Sequence, residues 1–175
     1  YTQGVGMEKN YEKAVEWLTK AAEQGFAQAQ YSLGFRYMKG QGVPQSIDNA
    51  NNWFIKAAEQ GHVDALKMLE QVTADDLANA WIDDNGVLYS VDKKRLLKVG
   101  ESFKDEHYSI NNETRVICTN AFWYCKMLTD VTIPHGVSFI GEHAFSGCKN
   151  LIGIEIPRSV IYIGNRAFSD CDNLK

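Results

Sequence analysis

The sequence predicts an α+β repeat protein, in which an α-helical solenoid of helix pairs is joined to a β-rich solenoid. Two internal periods predict this fold class, one of 36 residues in the first part of the chain and one of 23 residues in the last part. The 175 residues are 45% hydrophobic and 23% charged, as in ordinary globular proteins. Repeats at a fixed spacing indicate units that bury their apolar faces by stacking on one another.

The 36-residue period contains an identical hexapeptide. KAAEQG occupies 20–25 and returns at 56–61, and Trp17 returns as Trp53. In each copy the alanines and the large apolar residues follow helical spacing, so each unit is expected to hold two helices.

Capping residues set the expected limits of these helices. Asn10 and Ser46 occupy equivalent places, and the side chain of each can accept a hydrogen bond from an unpaired N–H at a helix N-terminus. Gly25 and Gly61 follow the first helix of each unit and supply the left-handed residue that ends a helix at little cost. The second helices are expected to begin near Ala27 and Val63.

Three short patterns in this part of the chain resemble Sel-one-like repeats, which are tetratricopeptide-type helix pairs. The patterns are Gly-x-Gly-Val, Ala-x-x-Trp and Ala-Ala-Glu-Gln-Gly, and the resemblance covers residues 1–72, two units with the first truncated. The resemblance implies a curved solenoid whose first helices line a concave groove. An ordinary solvated helix face is the alternative for their polar residues. The candidate groove residues are Glu12, Glu16, Lys20, Asn49, Asn52 and Lys56.

The 23-residue period is visible in two adjacent near-copies. TIPHGVSFIGEHAFSGC at 132–148 is followed by EIPRSVIYIGNRAFSDC at 155–171, and a weaker copy spans 110–128. Apolar residues recur at fixed places, as inward-facing positions of a solenoid coil do. From about Asn85 to Lys175 the chain resembles the BspA-type leucine-rich repeats found in many bacterial surface proteins. The resemblance implies a β-rich leucine-rich-repeat solenoid.

The start of this array differs from the later copies. An Asn-Gly pair followed by alternating apolar residues predicts a β-hairpin over 85–99. The preceding DDNG at 83–86 lacks the acidic spacing of a calcium-binding EF-hand loop, so it too is interpreted as a hairpin turn. The coil pattern weakens at Asn111, where later copies have proline, and at Cys118, where they have glycine.

A short segment joins the two arrays. Thr73 and Asp76 resemble a capping box with Asp in place of Glu, which predicts a short helix, and Trp81 is expected to pack in the joint. The predicted domains are helical repeats at 1–72, a capping helix and linker at 73–84, and leucine-rich repeats with an N-terminal hairpin at 85–175.

Charge and hydropathy argue against two classes of partner. The net charge of -4 disfavours nucleic-acid binding, which usually requires a basic stripe. Because no run of about 18 apolar residues occurs, no membrane insertion is predicted. The first residues do not resemble a signal peptide and look like the middle of a repeat, so we expect the chain to be a fragment of a longer protein that lacks its targeting signal.

Cysteine and histidine spacing predicts no metal site, no cofactor and no catalytic residue. The cysteines are separated by 7, 23 and 23 residues and lack the closely paired ligands of zinc sites. The favoured interpretation is a ladder of buried thiols at one repeat position, although rungs about 4.8 Å apart leave a strained disulfide geometrically open. The histidines fall at unrelated repeat positions. These residues are Cys118, Cys125, Cys148, Cys171, His62, His107, His135 and His143.

An outward-facing apolar stripe is the predicted partner-binding surface. Val116, Phe139 and Tyr162 occupy one repeat position, beside the inward isoleucine, where such repeats usually have a small or polar residue. Alternation along the strand places this position outward, and residues 23 apart should stack. Arg115 and Ile161 flank the stripe. Exposed aromatic residues on a rigid surface are typical of interaction hot spots; the alternative is that another part of the chain, or a neighbouring molecule, covers them.

Trp123 and Tyr124 form a second departure from the repeat. Their equivalents in the later copies are Ser146-Gly147 and Ser169-Asp170, so two large aromatic residues replace two small loop residues in one copy only. The favoured interpretation is structural, with both side chains packed on the hairpin or on the helical repeats. The alternative is contact with a ligand.

These patterns together predict non-catalytic recognition of a protein or peptide partner by a scaffold or a surface adhesin segment. A purely structural spacer within a longer surface protein is the alternative, and an enzyme or metal protein is the least favoured class. Self-association through uncapped repeat ends is a variant of the first hypothesis. A location at the cell surface or outside the cell is expected only from the proteins in which these leucine-rich repeats usually occur.

Overall fold

The computed structural model describes residues 3–100 and 102–175, with side chains described from Asn10 onward. The chain divides into two compact units, Tyr1–Leu69 and Glu70–Lys175. This agrees with a helical part followed by a strand-rich part. The finer division into 1–72, 73–84 and 85–175 stays a prediction.

The first unit consists of helix pairs. Helix α2 packs against both α1 and α3. Small and branched residues from α1 and α2 form its core, which includes Val15, Ala22, Ala29 and Leu33. Alanines in this core let the helix axes approach closely. The helices are α1 (Gln3–Glu23), α2 (Ala27–Lys39), α3 (Ile47–Glu59) and α4 (Val63–Glu70).

Most of the predicted helix limits are confirmed. Ser46 caps α3, with its side chain accepting a hydrogen bond of 3.2 Å from Asn49 N–H. Gly25 and Gly61 have φ values of 92° and 84°, in the left-handed region, after α1 and α3. The second helices begin at Ala27 and Val63 as expected.

The predicted N-cap at Asn10 is wrong, because α1 begins at Gln3. The second helical repeat has Pro44 shortly before its N-cap residue, and proline disfavours helix in the residue before it. The first helical repeat has Glu8 at the equivalent place, and glutamate imposes no such break. Equivalent repeat positions therefore differ in backbone conformation because one proline is missing.

In the described part of Glu70–Lys175, one short helix is followed by two sheets. Helix α5 (Ala74–Ala78) begins with the predicted capping box, in which Thr73 and Asp76 bond reciprocally. One sheet has the order β1-β2-β3-β5-β7-β9 and the other β4-β6-β8. The strands are β1 (Trp81–Ile82), β2 (Val87–Tyr89), β3 (Arg95–Val99), β4 (His107–Ser109), β5 (Val116–Ile117), β6 (Asp130–Thr132), β7 (Phe139–Ile140), β8 (Gly153–Ile154) and β9 (Tyr162–Ile163).

The 23-residue period is confirmed as the register of parallel coils. Ile117 pairs with Ile140, which pairs with Ile163. Inside the array the phenylalanine rings stack face to face, with centroids 4.9 Å apart between Phe122 and Phe145. The next ring, Phe168, follows at 5.3 Å. Each coil therefore buries its apolar face on the coil beside it.

The cysteines at one repeat position are free thiols. The Cys148 thiol donates to Phe122 O at 3.1 Å, and the Cys171 thiol donates to Phe145 O at the same distance. Each thiol thus bonds to the backbone of the preceding coil. Cys125, Cys148 and Cys171 thus lie at one repeat position as predicted, but only Cys148 is buried and the other two are half-buried.

The N-terminal part of this array is larger than the predicted hairpin. Strand β1 pairs with β2 around the Asn-Gly turn, and β2 pairs with β3, so three antiparallel strands precede the coils. The Asp83 carboxylate accepts hydrogen bonds from Asn85 N–H and Val87 N–H at 3.0 and 2.8 Å. DDNG is therefore a hairpin turn. Trp81 lies on β1, with its ring centroid 5.7 Å from that of Tyr89.

A buried ion pair fixes the segment before this hairpin. The Arg95 guanidinium donates to Asp76 at 2.8 Å and to Gln71 O at 2.5 Å. The side chains of Arg95 and Asp76 are only 3% and 8% exposed. Removing one partner of a buried ion pair leaves an uncompensated charge, which typically costs about 3–5 kcal/mol. Residues 71–78 are therefore attached to the strand array.

We predict that Gly141→Ala destabilises the strand array by about 1–3 kcal/mol. A Cβ at this position would lie 2.6 Å from the Thr119 backbone nitrogen in the preceding coil, so the coils would have to separate. Gly153→Ala is the matched control, because a Cβ there meets no atom within 4 Å. Urea denaturation should show a lowered midpoint for the first variant only. Equal midpoints would contradict close backbone approach as the reason for glycine.

Candidate functional site

The predicted apolar stripe exists as a row but is not an exposed surface. The strand register aligns Val116 with Phe139 and Phe139 with Tyr162, as the period predicts. Val116 and Phe139, however, are 0% and 1% exposed, and only Tyr162 is accessible, at 37%. The prediction that Val116 and Phe139 form an accessible partner-binding surface is therefore wrong.

Residues 70–78 lie on the outer side of the sheet and explain the burial at β5. Thr119 N–H donates to Glu70 O at 3.0 Å. Arg95, which pairs with Val116 in the register, bonds to Gln71 and Asp76. Strand alternation correctly identifies the side of the sheet, but it carries no information about which segment covers that side. Tyr162 is exposed because it lies on β9, at the edge of the described sheet.

The two residues that flank the stripe have different surroundings. Arg115 is half-buried, and its guanidinium donates to the carbonyls of Glu113 and Thr114 at 3.2 and 3.1 Å. It therefore holds the turn that precedes its own strand. Ile161 is 58% exposed beside Tyr162. A role for either residue in partner binding stays a prediction.

Two of the candidate groove residues of the helical unit, Lys20 and Lys56, each lie over a tryptophan ring. The Lys20 ammonium lies 5.1 Å from the centre of the Trp17 ring, and the Lys56 ammonium lies 4.2 Å from that of Trp53. Cation–π contact explains why the two residue types recur together. The remaining candidates are Glu12, Glu16 and Asn49, which are exposed, and Asn52, which is half-buried. Peptide binding by this set stays a prediction.

Trp123 and Tyr124 are more accessible than the favoured structural interpretation requires. They are 58% and 49% exposed, and their rings meet edge to face with centroids 4.8 Å apart. Nearby Met127 is 50% exposed. Packing on the hairpin or on the helical repeats therefore leaves about half of each side chain uncovered. The sequence contains the same kind of departure at Met127, because both later copies have asparagine at that repeat position.

The backbone at Tyr124 has a conformation that favours glycine. Its φ is 56°, and the equivalent Gly147 has a φ of 75°. For a residue with a side chain, the left-handed region costs roughly 1–2 kcal/mol. The Tyr124 ring lies over Gly147, where an added Cβ would be 3.1 Å from it. The third copy adopts the same backbone at Asp170, with a φ of 56°, so the left-handed turn itself belongs to the repeat.

These three side chains border a groove, here called the first-coil groove, of about 530 Å³. Its floor contains Leu97, Val99, Phe103 and Ala121, and its rim contains Trp123, Tyr124 and Met127 together with Lys98 and Lys126. Both lysines are exposed. Of the described residues that line the groove, none is acidic. The first-coil groove is therefore an apolar cleft with a positively charged rim.

A second notable group lies on the outer side of the sheet around Glu70. Glu70 is 9% exposed, and within the described part of the chain its Oε1 has no hydrogen-bond partner. Burial, and secondarily the carboxylate of Glu142, raise the pKa of Glu70 to about 7. Burial and the charges of Glu70 and Glu142 also raise the pKa of Tyr162. Desolvation and repulsion thus both favour a protonated Glu70.

The histidines lie at unrelated sites, and the structure assigns one of them a local role. His62 Nδ1 accepts a hydrogen bond of 3.3 Å from Ala65 N–H at the start of α4, and its ring stacks on Tyr31 with centroids 4.6 Å apart. Within residues 3–100 and 102–175, no three His, Cys, Asp or Glu side chains are grouped so that they could hold a metal ion. No described helix is long and apolar enough to cross a bilayer.

Comparison with known families identifies both arrays. Residues 1–26 and 27–62 match the Sel1 repeat, and residues 101–175 match the BspA type leucine rich repeat region in six copies. The chain is thus a repeat protein of two kinds of unit. Sel1 repeats at 1–62 are followed by BspA-type leucine-rich repeats at 101–175. Families of both kinds typically mediate protein–protein interaction and are generally non-catalytic. No curated protein matches the chain.

Several solved bacterial structures are similar to parts of the chain. A leucine-rich repeat protein from Eubacterium ventriosum is 30% identical, covers 61% of this chain and 28% of its own, and has a TM-score of 0.53. A Sel1 repeat protein from Oxalobacter formigenes is 52% identical, with coverages of 39% and 28% and a TM-score of 0.34. A leucine rich cell surface protein from Faecalibacterium prausnitzii is 26% identical, with coverages of 55% and 32% and a TM-score of 0.43. The chain therefore spans about a third or less of the length of each.

We predict that Glu70 makes the protein less stable as pH rises from about 5 to about 8. The pKa of Glu70 is higher in the folded state than its ordinary 4.5, so the stabilising protonation is complete below that value and lost as pH passes about 7. Glu70→Gln removes this loss. Its free energy of unfolding, relative to wild type, should therefore increase by on the order of 2 kcal/mol over this range.

Urea denaturation near pH 5 and near pH 8 measures the effect, with Glu155→Gln as an exposed control. A constant difference between Glu70→Gln and wild type at the two pH values would contradict the protonation of Glu70.

Proposed function

We propose that the chain is a non-catalytic protein-interaction module, a scaffold or adhesin segment that binds a protein or peptide partner at a bacterial cell surface. The observation that carries the proposal is the group of half-exposed Trp123, Tyr124 and Met127 side chains on a rigid coil array. Aromatic and methionine side chains are enriched in the buried centres of interfaces. The surface location is supported by the frequent occurrence of BspA-type repeats in surface proteins.

The same observation favours recognition over a purely structural spacer. A spacer needs only the inward residues that stack coil on coil, such as Phe122 and Phe145. The second copy of the coil loop shows what stacking alone requires, because it has Ser146 and Gly147 where the first copy has Trp123 and Tyr124. In this proposal the regions 1–72 and 85–175 each present a surface, and 73–84 connects them.

Affinity capture tests this function. The whole chain would be immobilised and exposed to bacterial and epithelial-cell extracts, and captured proteins would be identified by mass spectrometry and then purified. We expect at least one purified protein to bind the chain in isothermal titration calorimetry with a Kd in the micromolar range or tighter, as specific interfaces do.

An unrelated immobilised protein of similar net charge serves as the control for adsorption. Absence of any purified protein that binds the whole chain more tightly than this control would support the spacer and refute the interaction module. Light scattering of the isolated chain at increasing concentration separates binding of a partner from self-association through repeat ends.

A further inference from the structure

The first coil replaces three small or polar residues with large apolar ones, and all three lie at the same groove. Trp123, Tyr124 and Met127 border the first-coil groove and are 58%, 49% and 50% exposed. At the equivalent places the next coil has Ser146, Gly147 and Asn150. About half of each side chain stays in solvent, so stacking of the coils explains only part of this concentration.

The replacements also remove features that support the later coils. Asn150 donates its side-chain amide to Lys126 O at 2.8 Å, and Asn173 donates to Lys149 O at 2.9 Å, forming an asparagine ladder. Met127 occupies the same position and has no amide to donate. Tyr124 adopts the left-handed backbone that Gly147 adopts without a steric penalty. The first coil therefore lacks the asparagine bond of the later coils and carries a large ring where the next coil has glycine.

The charges around the groove are of one sign. Lys98 lies on β3 and Lys126 in the loop of the first coil, and both line the groove and are exposed. Neither lysine forms an ion pair with a described residue. Two unpaired cations beside an apolar cleft complement a ligand that carries carboxylates next to an apolar group.

We propose that the first-coil groove binds an acidic peptide segment that contains a large apolar side chain. This proposal rests on the function proposed above and specifies its partner. The apolar side chain enters the cleft between the floor at Phe103 and the rim at Trp123, and flanking carboxylates of the peptide pair with Lys98 and Lys126. Burial of an aromatic or aliphatic anchor supplies affinity, while the charges supply orientation and speed association.

The polar groups of the groove favour a peptide over a carbohydrate. Sugar hydroxyls need hydrogen-bond acceptors as well as donors, and lysine only donates. The described side-chain acceptors in the lining are confined to a few neutral groups, such as those of Thr119 and Asn120. We therefore expect a peptide ligand, and the experiment must distinguish peptide binding from carbohydrate binding.

A random-peptide display selection on the whole chain tests the proposal. We expect the enriched peptides to combine Phe, Trp or Leu with Asp or Glu. Synthetic versions of these peptides should change Trp123 fluorescence and bind the wild type in the micromolar range. The variant Trp123→Ser/Tyr124→Gly/Met127→Asn carries the residues of the next coil and should bind at least about tenfold more weakly. Lys98→Glu/Lys126→Glu should lose a similar factor, with weaker salt dependence.

Two controls keep the result interpretable. Thermal denaturation should show that the coil-swap variant still unfolds cooperatively, because its three new residues are those that the next coil already uses. Val91→Ser removes an apolar side chain that is 60% exposed outside the groove and should leave peptide affinity unchanged.

Three results would overturn the proposal: no enriched peptide, enriched peptides without acidic residues, or equal affinity for wild type and the coil-swap variant. Binding confined to a glycan array would identify a carbohydrate site instead. If captured protein partners bind the coil-swap variant as tightly as the wild type, the groove assignment fails while the interaction module stands. If nothing binds the wild type, both fail.

Discussion

The close approach of successive coil backbones is the constraint on which the strand array depends. Gly141 N–H donates to Ile117 O at 2.7 Å, and Gly164 N–H donates to Ile140 O at the same distance. A Cβ at either residue would lie within 3 Å of the backbone of the preceding coil, so the spacing between these coils requires glycine. Once that spacing is set, every other position must repeat at 23 residues, and the phenylalanine stack and the thiol ladder follow.

The same register aligns the side chains of one repeat position in a row across the sheet. Such a row is accessible to a partner only where no other segment covers it. At β5 the outer side of the sheet is covered by residues 70–78, which the Arg95–Asp76 pair anchors. A charge pair this deeply buried is expensive to break, so the cover is a permanent part of the array. Accessible apolar groups are found instead in the coil loop, at the first-coil groove, which Val72 and Leu77 of the same segment line without burying Trp123, Tyr124 or Met127.

Periodicity predicted most of the fold because repeats report stacking directly. KAAEQG and Ser46 identified the helix pairs, and the recurring isoleucines identified the strand register. The predicted N-cap at Asn10 is wrong because the period aligns Glu8 with Pro44, and only the proline interrupts a helix. Phe139 was misjudged because alternation within a strand gives a direction and not a degree of burial. The groove depends on β3 and the first coil meeting in space, which no local pattern in the sequence records.

Departures of the first coil from its own repeat separate into two kinds. Asn111 replaces proline, and its N–H donates to Tyr89 Oη at 3.3 Å, a bond that proline has no hydrogen to make. Cys118 replaces glycine and follows β3 rather than another coil, with its N–H bonded to Leu96 O at 2.9 Å and its thiol beside Arg95. Both departures fit the coil to the hairpin.

Trp123, Tyr124 and Met127 do not belong to this first kind. They remain half exposed, and one of them occupies a strained backbone position. Fitting to the hairpin accounts for Asn111 and Cys118 through bonds that can be named, whereas about half of each of these three side chains stays in solvent. The surface formed by these three side chains does not improve the core, so contact with another molecule explains it better than folding does.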